Sequence, residues 1–322
     1  MRGLRRDGEL DVMPPSESPA PPGPYRWDLL RPDRLGTLLD EVPEPNPWFL
    51  NALTDCAGKV VARSGDADLR FVGRSADSVF DVLGGAFDGT SWQGRLERLP
   101  LSCARDRADL SARELRRLRE DLAAAGLEPR ALARRGRPLA LVDLVWMGRT
   151  FTTLHTVIRD WVEEVREPWP VVRLKLRYVG ITSRKPTSPN TYRWHQHLPW
   201  TCDLPAAGVT SVSLDASVWH LLGNVQHKTA ASFPPARWYL DEDRREREPD
   251  GEQRSSLAPQ HGADHRAALA EARALVAAGR SGTVRGALVR TMVAEPAFRE
   301  RWLRALAREL RGLPPALPRT RG

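Results

Sequence analysis

Lysine is nearly missing from this chain. Lys59, Lys175, Lys185 and Lys228 are four of the 49 basic residues, and arginine supplies the rest. The formal net charge of +8 raises the question of nucleic acid. No long basic stretch is interleaved with aromatics, however, and arginine, alanine, glycine and proline are abundant throughout. A solvated, arginine-biased surface is expected, suited to an anionic small substrate, and nucleic acid is not expected as a partner. Cysteine is also scarce: Cys56, Cys103 and Cys202 are few, odd in number and widely spaced. That excludes a disulfide framework and fits reduced, mostly buried thiols. No apolar run approaches a membrane span. Arg2, Arg5 and Arg6 are followed by acidic and proline-rich sequence rather than by the apolar core of a signal peptide. A cytoplasmic protein with no membrane partner is expected. Also absent are a Gly-x-Ser-x-Gly elbow, a Walker Gly-Lys-Ser/Thr loop, and the Cys-x-x-Cys and His-Glu-x-x-His spacings.

The richest stretch that is present covers residues 138–150. An apolar run from Leu139 to Val142 stops at Asp143, and Gly148, Arg149 and Thr150 form a turn before a helical pattern begins. This order reads as a buried strand, a tight loop and an exposed helix N-terminus. Backbone N–H groups at such a terminus favour an anion, phosphate above all. Gly148 lets the backbone approach a ligand, and the Thr150 hydroxyl can cap the helix or bind phosphate. Asp143, at the carboxyl end of the strand, can accept hydrogen bonds from sugar hydroxyls. An ordinary strand-end Asp beside a helix cap is the plain alternative.

Strands are expected at residues 68–73, 96–101, 138–143 and 171–181. Helices are expected from a cap at Ser75 to Gly84 and Gly85, from a capping box at Ser111 and Glu114, and after Gly148. Asp77 and Asp81, four apart, read as a wet helix face. The alternation predicts an α/β fold, a mainly parallel sheet flanked by helices. Residues 1–25 read as a disordered tail, 26–240 as the α/β domain, 241–262 as a charged linker, 263–312 as a C-terminal helical segment and 313–322 as a second tail. The apolar stripes Val284, Leu288, Met292 and Phe298, Trp302, Leu306, Leu310 read as packing faces, available to a homodimer or protein partner.

The strand ending at Asp143 and the loop to Thr150 resemble the ribose-phosphate loop of type I phosphoribosyltransferases. There an apolar strand leads into two acidic residues and a Thr/Gly-rich loop. The turn of Phe71, Val72, Gly73, Arg74 and Ser75 resembles the family's pyrophosphate loop. Residues 182–240 resemble its base-covering hood. The resemblance spans roughly residues 65–240. It implies transfer of phosphoribose from phosphoribosyl pyrophosphate (PRPP) to an acceptor, with a nucleobase as the default. By the same resemblance, Asp143 is the catalytic residue that contacts the ribose, and Gly148, Arg149, Thr150, Phe151 and Thr152 hold the 5-phosphate. Arg74 and Ser75 hold the diphosphate; Lys185, Trp194 and Trp200 meet the acceptor; Mg²⁺ is the cofactor. The chain departs from the pattern at Leu144, which fills the second acidic position. The loop is also one residue shorter, with Trp146 and Met147 where small hydroxyl residues are usual.

Two alternatives remain open. The same fold can bind a nucleotide or sugar phosphate without catalysis, in a regulatory or interaction role. A zinc-supported interaction protein is the other, built on a His195-x-His197 strand with Cys202, Asp203, His220 or His227 completing the metal site.

Overall fold

The computed structural model describes residues 28–31, 35, 39–99, 101, 106–226 and 263–313. The expected tail 1–25, the linker 241–262 and residues 314–322 lie outside the described residues, as do Cys103, His227 and Lys228.

Five short segments form one all-parallel sheet: β1 (Asp68–Val72), β2 (Leu96–Leu99), β3 (Leu139–Leu144), β4 (Leu176–Ser183) and β5 (Val209–Leu214). Their order is β2-β1-β3-β4-β5. Parallel strands are joined by helical crossovers that cover both sheet faces, so the central strands are nearly continuous apolar runs. β3 is buried from Leu139 to Asp143. Its alternate residues serve different cores. Ala140 and Val142 join one apolar cluster with α1 (Leu50–Ser64) and α2 (Asp77–Phe87). Leu139 and Leu141 join the other with α3 (Ala112–Ala124), α4 (Pro129–Arg134) and α5 (Arg149–Glu164). A short α6 (Trp169–Val172) precedes β4, and α7 (Ala216–His220) follows β5.

The C-terminal helices α8 (Ala263–Arg280), α9 (Gly282–Ala294) and α10 (Arg301–Leu310) belong to the first core. Leu275, Leu288, Met292, Leu303, Leu306 and Leu310 are buried there beside α1 and α2. The α2–α8 crossing is backbone against backbone. A Cβ on Gly85 would lie 1.9 Å from the Val276 carbonyl oxygen, and one on Gly279 2.3 Å from that of Val82.

Several expectations are corrected. Gly84 and Gly85 do not end α2, which runs on to Phe87; Gly85 lies inside the helix, where its missing side chain admits that crossing. Ser75 does not cap it; the helix opens at Asp77 after Ala76, with no side-chain cap. Asp77 and Asp81 are buried, and Arg98 pairs with Asp77 at 2.5 Å. The expected strand 171–181 begins only at Leu176, because Pro168 and Pro170 favour helical turns through Lys175. Nor is the region after residue 182 only a cover: it contains β5 and α7. The capping box on α3 is present, with Ser111 and Glu114 in reciprocal hydrogen bonds.

The amino ends of the strands are closed by ion pairs. Arg95 reaches Asp66 at 2.8 Å and Asp68 at 3.3 Å, and its guanidinium lies 3.6 Å over the Trp92 ring. Arg135 pairs with Asp68, and Arg137 stands 3.9 Å from Asp66. Arg177 donates to the Ser64 carbonyl at 2.9 Å.

Candidate phosphate-binding site

The sheet order reverses between β1 and β3, which send their following helices to opposite faces. Such a switch point leaves a crevice beyond the carboxyl ends of the strands, where open α/β sheets bind ligands. The turn after β1 and the loop after β3 flank it. Arg74 and Thr150 therefore stand at the same end of adjacent strands.

On the β3 side, Gly148 is the N-cap of α5 at φ 75°, a conformation that glycine adopts without strain. No side chain caps this helix. The first backbone bond runs from Thr152 to the Gly148 carbonyl at 2.9 Å, so the N–H groups of Arg149, Thr150 and Phe151 precede the helical ladder. Arg149 is exposed and Thr150 half-buried. The Phe151 side chain is buried against Tyr178 and Trp194, leaving only its backbone for a ligand. The Thr152 hydroxyl donates to the Gly148 carbonyl at 3.0 Å and accepts from Trp200 Nε1 at 3.0 Å. It is committed to the fold.

Asp143 is 8% exposed and belongs to the face that carries α5. Burial pushes its carboxyl well above the usual carboxylate range, opposed only by the Leu144 backbone N–H. Leu144, the next residue, packs against the opposite apolar cluster, as strand alternation requires. Across the sheet, Asp143, Gly180 and Ser211 are register partners on one face. The Ser211 hydroxyl is buried without a hydrogen bond.

On the β1 side, Arg74 is half-buried, and its guanidinium makes no hydrogen bond or ion pair with another described residue. Burial lowers its pKa, and the neighbouring Asp77 charge opposes that shift. Ser75 lies in the same turn, half-buried.

The segment after β4 forms a roof. Trp194 is 1% exposed and spans two glycines. A Cβ on Gly148 would meet its Cε3 at 2.6 Å, and one on Gly180 would meet its Nε1 at 2.5 Å. That Nε1 is buried with no hydrogen-bond partner. Trp200 stacks on the buried His155 at 4.4 Å, and His155 Nδ1 lies 3.2 Å from the Tyr178 hydroxyl. Of the three expected acceptor residues, Trp194 and Trp200 are thus packed inward. Lys185 stands apart, 5.6 Å from the centre of the Trp146 ring.

His195 and His197 lie in a 3₁₀ turn, Trp194–His197, and not in a strand. Among the described residues no group of three or more His, Cys, Asp or Glu side chains is placed to hold a metal. Sequence reasoning gave no binding role to Trp146, Tyr192 and Trp219, which gather beyond the carboxyl ends of β3, β4 and β5. Trp146 stacks on Tyr192 at 5.9 Å and lies 6.0 Å from Trp219. Its place directly after an expected strand, in a loop, was the available signal.

No helix among the described residues is long and apolar enough to cross a membrane. No family model, curated protein or solved structure matches this chain at a significant level.

Proposed function

We propose that the protein binds a phosphorylated sugar or nucleotide in the switch-point crevice, as a phosphoribosyltransferase-like protein with PRPP as its ligand. One observation carries this reading. A half-buried Arg74, with no acceptor among the described residues, flanks the same crevice as an uncapped helix N-terminus. Both features favour an anion, and a five-stranded parallel sheet flanked by helices is compatible with that fold.

In this reading the backbone from Gly148 to Thr152 and the Thr150 hydroxyl hold the 5-phosphate, with Arg149 adding charge. Arg74 and Ser75 hold the diphosphate, Asp143 meets the ribose and Lys185 stands on the acceptor side. Transfer breaks the bond between C1 of the sugar and a diphosphate oxygen, which leaves with the electron pair. A bond from an acceptor atom to C1 replaces it, and the acceptor's proton passes to solvent. Arg74 would stabilise the charge gathering on the leaving group. The described residues do not fit a protein-held Mg²⁺, since Leu144 replaces a carboxylate and faces the other core. Any magnesium would arrive with the ligand, on phosphate oxygens and water.

Binding without transfer is the second reading. It is favoured by Leu144 and by Trp194, which covers both Gly148 and Gly180. Calorimetric titration with PRPP, with and without Mg²⁺, tests both, followed by an assay of diphosphate release with candidate nucleobases. Binding with release supports transfer, and binding without release supports the second reading. No binding by the folded protein removes both.

A further inference from the structure

We propose that the aromatic surface beside the crevice docks single-stranded nucleic acid. Three loops at the carboxyl end of the sheet build it. Trp146 comes from the loop after β3, Lys185 and Tyr192 from the segment after β4, and Trp219 from α7 after β5. Trp146 is 57% exposed and the adjoining Met147 49%, among the most exposed large apolar side chains described. An indole exposed in this way presents a π-surface on which a base can stack. Its neighbouring rings lie 5.9 and 6.0 Å away, one nearly parallel and one tilted by 46°.

Charge selects the partner. Residues 144–159 contain no aspartate or glutamate, and the segment from 183 to 208 contains only Asp203, which accepts from Trp169 Nε1 at 2.5 Å. Their basic residues are Arg149, Arg159, Arg184, Lys185 and Arg193. Two of these have carboxylates nearby, Arg184 with Asp55 at 3.8 Å and Arg159 with Glu163 at 3.9 Å. Arg149, Lys185 and Arg193 form no ion pair with a described residue. Asp215, at the start of α7, is engaged by the Ser217 N–H and hydroxyl at 2.9 and 2.6 Å. Lys185 beside the Trp146 ring, with Arg149 and Arg193 on the same two segments, suits a strand that offers open base faces and a phosphate backbone. A duplex hides its base faces, and an acidic peptide would leave the rings unused. The pattern is invisible along the chain because its residues lie far apart in sequence, which is why the sequence alone argues against nucleic acid. The proposal does not depend on what occupies the crevice.

The test is fluorescence anisotropy of the full chain with a labelled oligothymidine of about 15 nucleotides, the matching duplex, and dTMP as competitor. The strand should bind more tightly than the duplex, with affinity falling as salt rises. Trp146→Ala should weaken strand binding about tenfold or more, the loss of one base–ring stack, with an unchanged melting temperature because the ring is exposed. Lys185→Ala should reduce the slope of log affinity against log salt by about 0.7. Arg301→Ala, in the first turn of α10, removes the same charge and should change neither. No strand binding at low salt overturns the proposal, as does equal affinity of Trp146→Ala and wild type. Duplex binding as tight as strand binding would mean charge attraction alone. Competition by dTMP at the strand's own concentration would mean a mononucleotide site. Either result also overturns it.

Discussion

A carboxyl group shielded from water on a central strand lowers stability whenever it ionises. Asp143 is in that position, with its pKa raised by burial. The folded protein therefore holds its proton to higher pH than the unfolded chain. The stability Asp143 contributes is complete below the ordinary carboxylate pKa and is lost as pH rises through the raised value. Asp143→Asn should remove that loss, so denaturant melts of variant and wild type should diverge as pH rises while PRPP affinity falls. Parallel melts across pH would contradict the assignment. Leu144→Asp should not restore an acidic pair. It places a carboxylate against the opposite apolar cluster and should cost several kcal/mol in the same melts. His155 acts with the other sign. Burial lowers its pKa from 6.5 to about 4, so the unfolded chain takes up the proton first. About 3 kcal/mol should be lost as pH falls through that interval, a decline that His155→Phe should blunt.

Helix propensity and helix packing disagree at Gly85, and the geometry decides between them. In an isolated helix Gly→Ala gains about 1 kcal/mol. Here the added carbon would sit 1.9 Å from a backbone oxygen of α8, which cannot swing aside like a side chain. Gly85→Ala should therefore destabilise by about 1–3 kcal/mol or more, read as a lower denaturant midpoint. A raised midpoint would mean that the two helices part easily. The same glycine shows where sequence reading fails. Apolar runs with sharp ends, as at β1 and β3, declare themselves, because burial on both faces leaves little choice of residue. A glycine pair inside an amphipathic pattern reads equally as a stop or as a crossing, and only the partner helix distinguishes them. The loop after β3 was legible as a glycine-started helix. The indole covering it was not, since Trp194 lies 46 residues beyond Gly148 and packing sets its position. β5 was missed although Val209, Val212 and Leu214 carry strand character, because Trp, Pro and His dominate the surrounding region.

For the molecule as a whole, the first core draws on both ends of the described chain. Leu53 and Val60 of α1 share it with Leu288 of α9 and Leu303 of α10. A chain ending at residue 226 should therefore fail to fold cooperatively, visible as loss of a sigmoidal melt and rapid proteolysis. A sharp melt from the truncated chain would make α8 to α10 an accessory layer.

The ion pairs at the amino ends of the strands have a kinetic corollary. There, Asp66 and Asp68 pair with Arg95, Arg135 and Arg137, whereas at the opposite end Arg149, Lys185 and Arg193 form no ion pair with a described residue and Arg74 has only the Asp77 charge nearby. A charged ligand approaching through solution feels this asymmetry before it touches anything. For the anionic ligand proposed above, that asymmetry would turn the crevice toward the incoming charge and make productive encounters more frequent than random collision allows. Added salt shortens the reach of that field to about 10 Å at 0.1 M. The association rate should then fall with ionic strength more steeply than the dissociation rate changes, making speed of capture a property of the end that leaves its arginines unneutralised.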